Sequence, residues 1–188
     1  MQNIEKALFN VFQAVGSNYD IPTQEFISNE FQEGKTFRNP FFGQEKRPVK
    51  FMFGTQKELN IWIKETKDKY PLIWLVYPSE KAYNNNAQNI ETYKSLRLIF
   101  AINNTADKRV ETRVHTTKLV LQSIISEFNR LMRNSKFKKY IYVDKTSNIH
   151  EKWYPNYSIS EQKESGSIDI WDAITYDCNI NLFTDCIE

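Results

Sequence analysis

The chain has 188 residues, 40% of them hydrophobic and 14% aromatic, which excludes wholesale disorder and supplies enough apolar surface for a core. Its 25 basic and 23 acidic residues leave a formal charge of +2, without the basic excess of a dedicated nucleic-acid binder. Two cysteines, Cys178 and Cys186, cannot make a disulfide framework, and no apolar run nears the roughly 20 residues that span a bilayer.

Ile4, Leu8, Val11, Phe12 and Val15 recur at helical spacing ahead of Gly16-Ser17, so a helix is predicted over residues 4–15. The start, Met1-Gln2-Asn3, lacks the basic residues and apolar stretch of a secretory leader, so the protein is expected to stay where it is made. Residues 18–53 show no clear periodicity. Pro22, Gly34, Pro40, Gly43 and Pro48 punctuate them, and Phe37, Phe41 and Phe42 are interleaved with Arg38, Lys46 and Arg47. Part of this stretch is expected to pair as a hairpin, residues 34–39 against 49–53. A loop this long in a small domain is usually functional or ordered by a partner. Thr55 and Glu58 then form a capping box before Leu59, Trp62 and Ile63, and that helix must end ahead of Pro71. Residues 72–77, an unbroken apolar run between prolines, read as a strand buried on both faces.

An Asn-rich turn over 83–89 leads to a strand over 93–103, carried by Tyr93, Leu96, Leu98, Phe100 and Ile102. Asp107, Lys108 and Arg109 read as a solvated patch. The clearest helix covers 116–133, with Val120, Ile124, Phe128, Leu131 and Met132 on one face and Thr116 or Thr117 as its cap. Arg130, Arg133, Lys136, Lys138 and Lys139 gather at its end, where cations complement the helix dipole. Residues 138–143 read as a short strand, 152–160 as another with Trp153, Tyr154 and Tyr157, and 168–183 as a long terminal strand. The expected fold is one α+β domain over residues 1–188. It has a mainly antiparallel sheet packed by one long helix, an N-terminal helix, and residues 18–53 as an extended loop or hairpin arm.

No catalytic motif declares itself. Gly34-Lys35-Thr36 imitates the end of a phosphate loop but lacks the upstream glycine and the preceding buried strand. His115 and His150 stand far apart, with no metal-ligand spacing, and His115 reads as an ordinary polar residue near the main helix. Cys178 lies in a strand pattern and reads as a small buried hydrophobe. The sharpest catalytic set is Asp144 with Glu161 and Lys163, an arrangement by which a Mg²⁺-dependent nuclease activates water. Glu161 and Lys163 sit in a polar tip, however, and solvated charge explains them better. Asp169 and Asp172 flank Trp171, where they suit a cation, a partner lysine, or charges that guard a strand edge. The basic residues among 35–50 leave a small DNA-binding accessory protein as a further alternative, marked by steep salt dependence. No cofactor or metal is expected.

The element order resembles the small neck proteins of tailed bacteriophages, especially the tail-terminator and tail-completion group. The matching positions are the helix over 4–15, the run Pro71-Leu72-Ile73-Trp74-Leu75-Val76-Tyr77-Pro78, the strand over 96–104, the helix over 116–133 and the strand over 173–183. The resemblance implies a non-enzymatic virion protein, assembled in the host cytoplasm as a ring of six or twelve copies. Its implied partners are portal, connector or tail proteins, with DNA at most passing through the lumen and no membrane. A ring needs two different complementary surfaces on each subunit, and aromatic anchors on extended segments supply such surfaces. Phe37, Arg38, Phe41, Phe42 and Arg47 in residues 18–53 are the expected interface residues.

Overall fold

Asn3 opens the first helix by accepting the Lys6 N–H on its side-chain oxygen at 2.9 Å, which satisfies one of the orphan donors of helix α1 (Ile4–Asn18). The computed structural model describes residues 3–20, 25–28, 35–38, 48–83, 90–103, 110–133, 135–144, 148–157 and 171–183. α1 buries Ile4, Ala7, Leu8, Val11, Phe12 and Val15, the stripe its spacing predicts. Its end comes close to the chain that follows, for a Cβ on Gly16 would stand 2.8 Å from the backbone nitrogen of Val49.

Two long strands form the spine of a seven-stranded sheet. β6 (Ile90–Asn103) runs antiparallel to β9 (Trp171–Phe183), from Ile90 opposite Phe183 to Asn103 opposite Trp171. The register shifts once, between Tyr93 and Leu96, where Ser95 takes a positive φ of 50°. Each spine strand divides its other edge between two short strands. β4 (Leu72–Val76) and β5 (Glu80–Tyr83) pair with β6, while β7 (Ile141–Val143) and β8 (His150–Tyr157) pair with β9, all antiparallel. β3 (Lys50–Gly54) lies outside β4 and parallel to it, joined to it through α2 (Gln56–Glu65). The α+β architecture with a mainly antiparallel sheet is therefore the one the sequence leads to.

α3 (Val110–His115) runs through Thr116 into α4 (Thr117–Arg133), and α5 (Ser135–Lys138) follows. α4 buries Val120, Leu121, Ile124, Ile125, Phe128, Leu131 and Met132 and contacts β6, β9 and β7, with α1 beside it. The layers meet in a cluster of rings. Phe12 of α1 stacks on Phe128 of α4 at 5.1 Å, and Phe128 and Phe100 both meet Tyr176 edge-on at 5.8 and 6.1 Å. All four rings are buried, and each such pair adds about 0.5–1.5 kcal/mol beyond the area it removes from water. Among the described residues no helix is long and apolar enough to cross a membrane.

Three sequence expectations are corrected here. Residues 34–39 do not pair with 49–53. β2 (Lys35–Arg38) pairs instead with β1 (Glu25–Ser28), and β3 belongs to the main sheet. The physical reason is burial: Val49 is 2% exposed and Met52 is also buried, so this end of the 18–53 stretch packs within the subunit's own core. Residues 83–89 are not all turn, since β5 runs to Tyr83. Thr117 does not cap α4: it is the first residue of that helix, and its hydroxyl donates to Asp172.

Candidate functional site

The β1–β2 ribbon is the part of the 18–53 stretch that stands outside the main sheet. Its ladder pairs Glu25 with Arg38, Phe26 with Phe37, Ile27 with Thr36 and Ser28 with Lys35, and it forms a separate two-stranded sheet. In general a two-stranded ribbon on its own is marginally stable at best in water, and further strands or a packed face are needed for independent stability. Of the expected interface residues, Phe37 and Arg38 fall in β2, while Phe41, Phe42 and Arg47 lie outside the described residues.

Near the ribbon in sequence, β3 forms one border of the main sheet. The Lys50 N–H donates to the Pro71 carbonyl at 2.9 Å, and the Gly54 carbonyl accepts the Tyr77 N–H at 3.0 Å. Gly54 also accepts the indole N–H of Trp74 at 2.9 Å. A backbone φ of 136° suits only glycine there, and any Cβ would sit 2.6 Å from the Glu58 carboxylate. That carboxylate closes the predicted capping box, accepting the Thr55 N–H at 2.7 Å and the Thr55 hydroxyl at 2.8 Å. These bonds hold Glu58 below the ordinary carboxylate pKa. Phe53, 50% exposed, meets Tyr77 at 6.2 Å on this border.

The most concentrated polar chemistry is buried. Arg113 of α3 and Asp172 of β9, 1% and 0% exposed, form an ion pair at 3.0 Å. The same Arg113 nitrogen donates to the Asn156 side-chain oxygen at 2.7 Å, while the Thr117 hydroxyl donates to the second Asp172 oxygen. The Asn156 N–H also reaches Asp172, at 3.4 Å. A carboxylate met by a guanidinium, a hydroxyl and an amide is fully engaged, so this cluster ties α3, α4, β8 and β9 together. Asp172 is thus not an edge charge: the cation it meets is one of the chain's own. Asp169 lies outside the described residues.

The other sequence candidates do not converge. Asp144 follows β7, its N–H donating to the Asn179 carbonyl at 2.9 Å, whereas Glu161 and Lys163 lie outside the described residues. His115 closes α3 and His150 opens β8. Among the described residues no three His, Cys, Asp or Glu side chains gather as metal ligands would. Cys178 is buried, and burial first, then the neighbouring Asp177 charge, pushes its thiol pKa to about 12. An open groove of about 590 Å³ crosses the sheet between Tyr77-Pro78 and His150. Its floor is already paired, Arg97 to Asp177 at 2.7 and 2.9 Å and the Ser95 N–H to Asn179 at 2.8 Å. In the basic cluster ending α4, Arg130 holds Glu127 at 2.6 and 2.7 Å.

Sequence reasoning passed over Arg113, the buried member of the ion pair. A lone arginine one turn before an amphipathic helix carries no periodic signal, and Asp172 read equally well as a strand-edge charge. No known protein family and no curated protein matches the chain in sequence.

Proposed function

We propose that this chain is a non-enzymatic structural protein of the neck or tail of a bacteriophage, acting as a ring subunit between portal and tail. The observation that carries this reading is the β1–β2 ribbon. It sits between α1 and β3 in sequence yet shares no ladder with the seven-stranded sheet. A two-stranded sheet that shares no ladder with the main one suits a segment that gains a further strand from a neighbour. The element order, with its N-terminal helix, sheet, packed helix and closing strand, also supports the likeness to neck proteins. In such a ring of six or twelve copies each subunit offers two different surfaces, and DNA passes through the lumen without being gripped. The protein then belongs to the virion and is assembled in the host cytoplasm.

The test is electron microscopy and native mass spectrometry of the chain mixed with the portal and tail proteins encoded beside it. A closed ring is expected. A chain that stays monomeric with those proteins present contradicts the proposal, whereas a lone monomer does not, since such rings form on a template.

A further inference from the structure

The ring reading does not say which surfaces meet; the sheet borders supply an answer that rests on it. Four short strands border the seven-stranded sheet, and three of them are poor acceptors for another strand. β5 and β7 have four and three residues. β8 carries Pro155, and its register shifts between Tyr154 and Tyr157, where Asn156 takes a φ of 59°. Short length, a missing donor and a bulge are the ordinary means by which a sheet refuses a further strand.

β3, at five residues, is also short, but it has neither a proline nor a bulge. Its register with β4 runs unbroken from Lys50 opposite Leu72 to Gly54 opposite Val76. Because the Lys50 N–H and the Gly54 carbonyl are both bonded on the β4 side, strand alternation turns the N–H and C=O of Phe51 and Phe53 outward. Among the described residues no backbone group meets them there. Phe51 is held inward by stacking on Phe12 at 5.3 Å, while Phe53 is half exposed.

The same chain holds the complementary piece. We propose that β1 of one copy adds to the outer edge of β3 in the next copy, head to tail, so that the ribbon extends the neighbour's sheet. The charges select β1 over β2. β2 begins with Lys35 and ends with Arg38, so either direction sets a cation at the register position opposite Lys50. β1 begins with Glu25, and a parallel addition sets Glu25 opposite Lys50, with Phe26 and Ile27 opposite Phe51 and Met52. An acidic residue at the register position opposite Lys50 favours that register, and the like charges at both ends of β2 oppose its addition in either direction. Donor and acceptor are different surfaces, which is the heterologous contact a closed ring requires.

The test uses the full chain in sedimentation velocity over a wide concentration range, with site-resolved amide exchange on the assembled and dilute protein. Wild-type chains are expected to associate, and the Phe51 and Phe53 amides to become protected only on association. Lys50→Glu, which sets two carboxylates at the proposed register position, should weaken association about five- to tenfold. Adding Glu25→Lys together with Arg38→Glu, which keeps opposite charges paired in the ribbon, should restore the wild-type constant. Association with Phe51 and Phe53 still open to exchange, or indifferent to charge reversal, overturns the strand addition and leaves the ring standing. A chain monomeric at every concentration also overturns it as the self-contact. Monomer in the presence of portal and tail proteins removes the ring as well.

Discussion

Replacing Arg113 by methionine should be strongly destabilising, and the size of the loss follows from burial. Arg113 and Asp172 are 1% and 0% exposed, so the substitution takes the paired guanidinium from a carboxylate that water does not reach. Removing one partner of a buried ion pair costs about 3–5 kcal/mol. The Thr117 hydroxyl and the Asn156 N–H still donate to Asp172, which sets the expected loss near the low end, about 3 kcal/mol. That is a large part of the about 5–15 kcal/mol that holds a domain folded, and it lowers the thermal midpoint by about 6–12 °C at this chain length. Urea unfolding followed by circular dichroism reads it as a lower midpoint at unchanged slope. The double change Arg113→Met with Asp172→Asn removes both charges while keeping an acceptor for Thr117. It should recover more than half of the loss. A single-variant loss under about 1 kcal/mol, or a double variant no better than the single, would refute the view that charge pairing holds α3 against β9.

Two further predictions concern pH. The Glu58 pKa is lowered below its ordinary 4.5 by the Thr55 bonds, so its contribution is present above that value and is lost as pH falls through the lower folded pKa. An NMR titration should show Glu58 titrating late, with the first-turn amides of α2 exchanging faster once it protonates; titration at or above the ordinary value would contradict this. Cys178 is raised from 9.0 to about 12, so the stability of keeping its thiol neutral is whole below pH 9.0 and is lost as pH climbs toward 12. At mildly alkaline pH a thiol alkylator, followed by peptide mapping, should leave Cys178 unmodified until the chain unfolds. Prompt modification of the folded protein would show that the strand position is not closed to solvent.

Where local chemistry determines structure, the residues were enough. Thr55 and Glu58 form their capping box because a hydroxyl and a carboxylate three residues apart satisfy each other's backbone donors. Residues 72–75 are buried on both faces because β4 lies between β3 and β6 under packed layers, as an apolar run between prolines suggests. Long-range choices were less visible. The only sequence mark that prefers Glu25–Ser28 over Lys50–Gly54 as partner for Lys35-Thr36-Phe37-Arg38 is charge, Glu25 standing opposite Arg38, and the competing claim on β3 came from β4 through the α2 connection. α3 was missed because six residues carry less than two turns of periodicity, and the hydroxyl expected to cap α4 was taken by an aspartate 55 residues away. As for the site, Phe37 and Arg38 fall on the ribbon that sequence irregularity pointed to, while Arg113 and Asp172 meet only through tertiary packing.

The central claim, that the ribbon region works on a neighbour rather than on the subunit's own core, is tested most directly by changing Phe37, Phe41 and Phe42 together to alanine. Interface aromatics of this kind cost about 2 kcal/mol or more each when truncated, about thirtyfold in one contact, and a ring repeats that loss at every interface. The monomer's thermal midpoint and ring formation are measured side by side, the latter with portal and tail proteins present. The account predicts an unchanged midpoint and no ring. A lowered midpoint with normal ring formation would place these aromatics in the subunit's own core and contradict it.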